Sequence, residues 1–96
     1  MASVYILFSH KLNKFYVGSC LDLKQRLFDH KNKTYSNSFT KTSDDWQLYF
    51  EISGLDGLIA RKIEAYIKSM KSKKYIEDLK KYPEMALKLI SKFSKP

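Results

Sequence analysis

Two short segments near the N-terminus send successive side chains to opposite faces, which is the pattern of β-strands. In residues 3–9, and again in residues 14–18, every second residue is apolar and lies on the same face of the strand. That face is formed by Val4, Ile6, Phe8, Phe15 and Val17. Because the link between the segments is short, we expect an antiparallel hairpin. Pairing Tyr5 with Tyr16 would put both tyrosines together on the reverse face.

The next part of the chain predicts one helix, a loop and a third strand. Asp22 is expected to begin the helix, with Gln25 as its capping-box partner. Residues 34–45 are polar and are expected to form a loop, longer than usual for a small domain. Residues 46–52 alternate again, and Trp46, Leu48, Phe50 and Ile52 would share one face.

Three further helices are expected after the third strand. The second helix of the chain would cover about residues 58–70 and the third residues 73–81, while Pro83 would begin the last. The order is therefore ββαβα followed by C-terminal helices. It predicts an α+β fold in which a small three-stranded antiparallel sheet is flanked by helices.

Length and composition indicate a single intracellular domain. Ninety-six residues leave room for one core, so residues 1–96 are expected to form one domain. No apolar run approaches the roughly 18 residues that a membrane span needs. The one cysteine, Cys20, cannot form an internal disulfide. We therefore expect a cytoplasmic protein with no membrane partner.

The net charge of +8 is concentrated near the C-terminus. Residues 61–96 carry a balance of +7, and residues 1–60 only +1. Such a field attracts polyanions such as nucleic acids. Lysine-rich helix surfaces also serve solubility, so charge alone leaves both interpretations open.

Six residues stand in an order and spacing that resembles the GIY-YIG nuclease family: Tyr5, Tyr16, Gly18, Arg26, His30 and Glu64. The resemblance covers about residues 3–70, with residues 72–94 as a basic helical extension. The chain is similar to the N-terminal catalytic domain of the excinuclease that acts in excision repair. It departs from the family pattern at Ser3 and Val4, at Ser19, where some members have lysine, and in lacking an asparagine after Glu64.

Helical geometry adds a separate argument for three of these residues. At about 100° per residue, Arg26 and His30 border the apolar stripe of the first helix, and Glu64 borders that of the second. Border positions let a charged side chain reach a partly buried cleft. Without the family resemblance, an i,i+4 ion pair with Lys68 would be the preferred interpretation of Glu64.

The resemblance implies metal-dependent hydrolysis of a phosphodiester bond in DNA, with RNA left open. Glu64 would hold a single divalent ion, Mg²⁺ or Mn²⁺. Arg26 would donate to the phosphate and neutralise its charge. Structure-specific cleavage, or a role in repair or recombination, would fit the family.

The resemblance also implies roles for the remaining site residues. Tyr16 would be the general base, provided that nearby positive charge helps the phenol to lose its proton. Tyr5 would orient the water or the phosphate, and His30 would relay a proton or fix a neighbouring hydroxyl. Gly18 would have a structural role, letting the backbone pass close to the site.

DNA contact is expected from a basic edge beside Glu64, formed by Lys68, Lys71, Lys73 and Lys74. No helix resembles a base-reading element, so an unidentified protein partner or DNA structure would supply specificity. Two other hypotheses stay open. The chain could be a nucleic-acid-binding module that cleaves poorly or not at all, or a protein-interaction domain.

Overall fold

The structure, a computed structural model, describes residues 1–31 and 45–94, with the backbone alone for residues 29–31. The described part has the α+β fold and the element order that the sequence predicts. Its elements are β1 (Ala2–Ser9), β2 (Lys14–Cys20), α1 (Leu23–Lys31), β3 (Gln47–Leu55), α2 (Gly57–Met70), α3 (Lys73–Lys81) and α4 (Pro83–Ser94). The predicted loop over residues 34–45 lies outside the described residues, except for Asp45.

The three strands form one antiparallel sheet in the order β2-β1-β3. β1 is the central strand, and all but one of its eight residues are buried. Among the described strands, β2 pairs with β1 alone and therefore lies at an edge of the sheet. Helix α2 packs against both β1 and β2, so the edge strand lies close to the helix that carries Glu64.

The predicted register of the hairpin is wrong by two residues. Tyr5 pairs with Gly18, and Tyr16 pairs with Leu7. The predicted register would have closed the hairpin over two residues, whereas the observed one leaves four, His10 to Asn13. A shift of two preserves the face of every side chain. Both tyrosines therefore still share one face, with ring centroids 6.2 Å apart.

Hydrogen bonds within the turn explain the longer connection. The buried Ser9 hydroxyl donates to Asp45 Oδ1 over 2.5 Å and accepts from the Leu12 backbone N–H at 3.1 Å. The Lys11 N–H donates to the other oxygen of the same carboxylate at 2.9 Å. Asn13, with φ of 51°, takes the left-handed conformation that asparagine tolerates well. Together these contacts stabilise a four-residue turn.

The third strand is confirmed, but its alternation is interrupted. An irregularity between Ile6 and Leu7 shifts the pairing with β3, so that Ile6 faces Phe50 and Leu7 faces Leu48. The bulge divides the predicted apolar face in two. Phe50 joins the main core, while Trp46 packs against the opposite side of the sheet.

Two apolar clusters lie on opposite faces of the sheet. The main core joins the sheet to α2, α3 and α4, and its most buried members include Ile6, Ile63 and Leu79. The smaller cluster contains Tyr5, Leu7 and Cys20, with Tyr16 and two residues of α1, Leu23 and Leu27, packed on it. Each tyrosine predicted at the site therefore lies on the α1 side of the sheet.

Residues at the helix starts explain where three helices begin. Asp22 precedes α1, and its Oδ1 accepts the Gln25 N–H at 3.1 Å, which is one of the two bonds of the predicted capping box. Asp56 caps α2 in the same way, and Ser72 caps α3. No helix in the described part of the chain combines the length and apolar composition needed to cross a bilayer.

Candidate active site

The two tyrosines of the predicted site form a buried pair beside Gly18. Tyr5 is completely buried, whereas Tyr16 is half-buried. A Cβ atom at Gly18 would lie 2.6 Å from the Tyr5 hydroxyl oxygen and 2.7 Å from Cζ. Gly18 therefore makes room for the Tyr5 phenol, a more specific role than the backbone approach expected from the sequence. The rigid Tyr5 ring in turn supports Tyr16.

Glu64 is held between a strand and its own helix. The Ser19 hydroxyl, on β2, donates to Glu64 Oε1 over 2.5 Å. The Lys68 ammonium, one turn further along α2, donates to Oε2 over 2.6 Å. The Glu64 side chain is 21% exposed and that of Lys68 52%. The simple i,i+4 ion pair is thus present, together with a second bond that fixes the carboxylate against the sheet.

Lys68 links the carboxylate to the tyrosines. Its ammonium lies 6.0 Å from the centroid of the Tyr16 ring, at the limit of a cation–π contact. Ser19 and Tyr16 stand on opposite faces of β2 by alternation. They reach one site because β2 is an edge strand, around which side chains from both faces can meet. The site thus wraps around the outer edge of the sheet.

A cavity of about 220 Å³ at the end of β2 brings Arg26 into the same region. It is lined by Arg26 from α1, Ser19 from β2, and Gly57 and Arg61 from α2. Arg26 is half-buried and Arg61 exposed. Two guanidinium groups at one opening suit a phosphate, which accepts paired hydrogen bonds from arginine.

His30 follows Arg26 by one turn of α1, as predicted. Only its backbone is described, so its position within the site stays a prediction.

Three of the four predicted DNA-binding lysines line a separate groove of about 500 Å³. Lys68, Lys71 and Lys73 lie along it, at the end of α2 and the start of α3. Lys74 is not among the lining residues and instead pairs with Asp78 at 3.4 Å. Lys14 of β2 joins the groove from the opposite side.

Sequence reasoning did not predict three residues in this region as site residues: Ser19, Arg61 and Lys14. Arg61 precedes Glu64 by three residues and so shares its side of α2, a spacing visible in the sequence. Ser19 follows the glycine of the motif, but its bond to Glu64 spans 45 positions and leaves no local signal. Lys14 belongs to residues 1–60, which carry a net charge of only +1, and not to the basic C-terminal helices.

Cys20 lies at the same end of β2, but its thiol has the properties of a structural residue. Burial raises the pKa of its thiol, and the nearby charges of Asp22 and Glu51 add to the rise. The positive charge of Arg26 opposes that shift without reversing it. The thiol is therefore neutral at physiological pH and is a poor nucleophile or metal ligand.

Glu64 is the carboxylate available for a metal ion at this site. Among the described residues, no group of three or more histidine, cysteine or acidic side chains could form a metal cluster. A magnesium ion nevertheless needs only one or two carboxylates when water and phosphate oxygens complete its shell. The carboxylate already accepts one cation, the Lys68 ammonium, which is half exposed and has room to move away. The donor set therefore fits a water-rich divalent ion.

Comparison with known proteins identifies the family of this chain. The family model described as the GIY-YIG catalytic domain matches residues 1–77, from β1 into α3. Neither a search of curated proteins nor a search of solved structures finds a significant match. Nucleases of this family generally depend on a divalent metal and bind nucleic acid as substrate. The match covers well over half of the chain, and we conclude that this protein belongs to the GIY-YIG nuclease family.

Proposed function

We propose that this protein is an endonuclease that hydrolyses phosphodiester bonds in DNA with the help of a divalent metal ion. One observation carries the proposal: Glu64 is fixed between Ser19 and Lys68 at the edge of β2, and Lys68 reaches Tyr16. A carboxylate, a cation and a phenol thus stand within a few side-chain lengths of each other, with Arg26 in the adjoining cavity.

In our proposal, the two arginines Arg26 and Arg61 neutralise the negative charge of the phosphate. Hydrolysis builds negative charge on the oxygens of the phosphate, and fixed donors that face this charge lower the barrier. Arg26 would contact the scissile phosphate, because its half-buried position limits its movement. The exposed Arg61, at the same cavity, would contact that phosphate or the next one along the strand.

Tyr16 is our proposed general base, taking a proton from the water that attacks phosphorus. The ammonium of Lys68 above its ring places a positive charge near the phenol. Tyr5 would orient Tyr16 from its buried position, with ring centroids 6.2 Å apart. His30, one turn beyond Arg26, would relay the proton to a neighbouring hydroxyl or to solvent.

Glu64 would hold the divalent ion, with Ser19 keeping the carboxylate in place. When bound, a magnesium or manganese ion polarises a phosphate oxygen and stabilises the leaving oxygen. Lys68 would release the carboxylate at that stage while its ammonium stays beside the Tyr16 ring. Its half-exposed side chain supports such a movement.

The test is cleavage of supercoiled, branched and single-stranded DNA, with and without Mg²⁺ or Mn²⁺, using RNA of the same sequence for comparison. We expect metal-dependent cleavage that falls at least about a hundredfold in Glu64→Gln, while DNA binding persists. Glu77→Gln is the matched control, since it makes the same change on an exposed part of α3. No cleavage of any substrate by the unchanged protein, or equal cleavage by Glu64→Gln, would contradict the proposal.

A second candidate function is nucleic-acid binding without cleavage. The groove beside Tyr16, lined by four lysines, supports this alternative because it does not depend on Glu64. Binding that weakens steeply with salt, without cleavage in any metal, would favour it. In either case we expect an unidentified protein partner or the DNA structure to direct the chain to its target.

A further inference from the structure

The groove of about 500 Å³ differs in chemistry from the catalytic region beside it. Its walls are the edge of β2 and the junction between α2 and α3. Phe15 and Tyr16 are the aromatic residues among the lining on the strand side, and Ile67 and Ile76 are the aliphatic ones on the helix side. The volume falls within the roughly 300–1,000 Å³ of sites for small molecules. An apolar groove of this size, next to the candidate active site, is suited to bind a ligand that has an apolar group.

Positive charge surrounds the apolar surface. Lys14, Lys68, Lys71 and Lys73 all line the groove, and no acidic residue is among its described lining residues. Lys73 crosses from α3 to the hairpin, where its ammonium donates to the Asn13 carbonyl over 2.7 Å. This bond connects the two walls, so the groove is formed in advance. A ligand that complements it combines a flat apolar part with negative charge, as a nucleotide does.

Pairing and stacking decide which nucleotide can enter. A base within a duplex is stacked on its neighbours and presents mainly phosphates and groove edges to a protein. An unpaired base can leave the stack and lie against an aromatic side chain. Phosphates on either side of it would then meet the lysines of the rim.

The position of the groove relates it to the scissile bond. Tyr16 lines the groove and also belongs to the candidate active site. Lys68 lines it too, and its ammonium holds the Glu64 carboxylate at 2.6 Å. A nucleotide in the groove would therefore be adjacent to the phosphate that the site attacks.

We propose that this groove binds one unpaired nucleobase of the substrate strand, next to the phosphodiester bond that is cleaved. The proposal rests on the proposed nuclease function and narrows its substrate to DNA with an unpaired nucleotide near the cut. The recognition is by stacking and phosphate charge, so it does not depend on which base is present. It would give a chain without a base-reading helix a preference for DNA structure.

The test compares two DNA duplexes that each carry one unpaired nucleotide and differ only in the base at that position. One duplex keeps the base and the other has an abasic sugar, so their charge and backbone are equal. Binding to the full chain is measured by fluorescence anisotropy in EDTA, where metal-dependent cleavage is prevented. We expect the base-bearing DNA to bind about tenfold more tightly. Equal affinities for the two DNAs would overturn the proposal.

Two variants separate stacking from charge. Phe15→Leu keeps an apolar side chain but loses the flat ring, and it should bring the two affinities closer together. Lys71→Gly should weaken binding to both DNAs by a similar factor. Lys71 has φ of 48°, a left-handed conformation that glycine adopts readily, so this change preserves the end of α2. Lys88→Gln on α4 removes one charge outside the groove and should alter neither affinity.

Cleavage is measured in a separate assay, so the two proposals can fail independently. Base-dependent binding without cleavage would support the groove and contradict the nuclease function. Cleavage with equal affinity for the base-bearing and abasic DNAs would support the nuclease function and contradict the proposal for the groove. In that second case the groove would be left to another occupant, such as a peptide segment added along β2.

Discussion

Gly18 shows how one residue of the motif depends on another. Its partner across the hairpin is Tyr5, which is completely buried and therefore has no route by which to swing away. The sequence suggested that this glycine lets the backbone pass close to the site. That interpretation did not include Tyr5, because the predicted register placed that tyrosine opposite Tyr16.

Gly18→Ala should destabilise the protein. Its methyl group would lie within 2.7 Å of two atoms of the Tyr5 side chain, the hydroxyl oxygen and Cζ, so the side chain or the strand must move. Overpacking of this kind costs about 1–3 kcal/mol of unfolding free energy. Gly57→Ala is the control, since no atom lies within 4 Å of its added Cβ and alanine favours the start of α2. Urea unfolding measures both, and equal stability of the two variants would contradict the argument.

At the scale of elements, the sequence predicted the features that depend on local patterns better than those that depend on long-range contacts. The type and order of all seven elements followed from periodicity and capping, and the bounds of α3 matched its prediction. The hairpin register did not follow, because it depends on a bond between Ser9 and Asp45, 36 positions apart. The separation of Trp46 from Phe50 and Ile52 likewise accompanies a bulge between β1 and β3, which the alternation of residues 46–52 does not reveal.

The same distinction applies to the candidate site. Motif spacing predicts Tyr16, Arg26 and Glu64 as site residues; their roles stay predictions, and the structure places all three beside one edge of the sheet. That edge exists because β1 pairs with both other strands, leaving β2 outermost. Strand order of this kind has no signal in a single sequence. Ser19, which joins β2 to α2, could therefore be recognised only once the sheet was known.

Ser19→Ala should impair catalysis while leaving DNA binding intact. It removes the strand's bond to Glu64 Oε1, so the carboxylate is held by Lys68 on its own helix. Loss of a hydrogen bond that orients a metal ligand typically costs about 10–100-fold in metal affinity or activity. We expect a loss of about tenfold in kcat/KM and a higher Mg²⁺ concentration for half-maximal cleavage.

Ser53→Ala is a close control for this change. The Ser53 hydroxyl also donates to a carboxylate, Glu51 Oε2 at 2.9 Å, but on β3. Ser53→Ala should leave the Mg²⁺ dependence of cleavage the same as in the unchanged protein. If Ser19→Ala behaves like Ser53→Ala in the metal titration, then Ser19 does not position Glu64 for catalysis.

Across the whole molecule, charge and packing come from different parts of the chain. The basic C-terminal third supplies three lysines of the groove, but the fourth, Lys14, comes from β2. Helix α4 begins after the end of the family match and packs on α2, with Leu89 buried in the main core. The ring of Phe93 meets that of Tyr66 with centroids 5.6 Å apart. This helix thus stabilises α2, on which Glu64 stands.

Stability should decline at alkaline pH because the buried Cys20 and the half-buried Tyr49 and Tyr75 are held in their neutral forms. Burial is the first cause that raises the pKa of Cys20, Tyr49 and Tyr75 above 9.0 for the thiol and 10.0 for the phenols. The folded protein therefore keeps these protons to a higher pH than the unfolded chain does. Their contribution is fully present below the unfolded pKa values and is lost as the pH rises through the folded ones.

Urea unfolding between about pH 8 and pH 11 measures this decline. Lysines also lose charge at the upper end of this range and relieve repulsion in a chain of net charge +8, an effect of opposite sign. Cys20→Ala separates the two, because both proteins carry the same lysines. The difference in unfolding free energy between wild type and Cys20→Ala should shrink above about pH 9, where the unfolded thiol ionises. A difference that stays constant, or grows, would show that burial does not hold the Cys20 thiol in its protonated form.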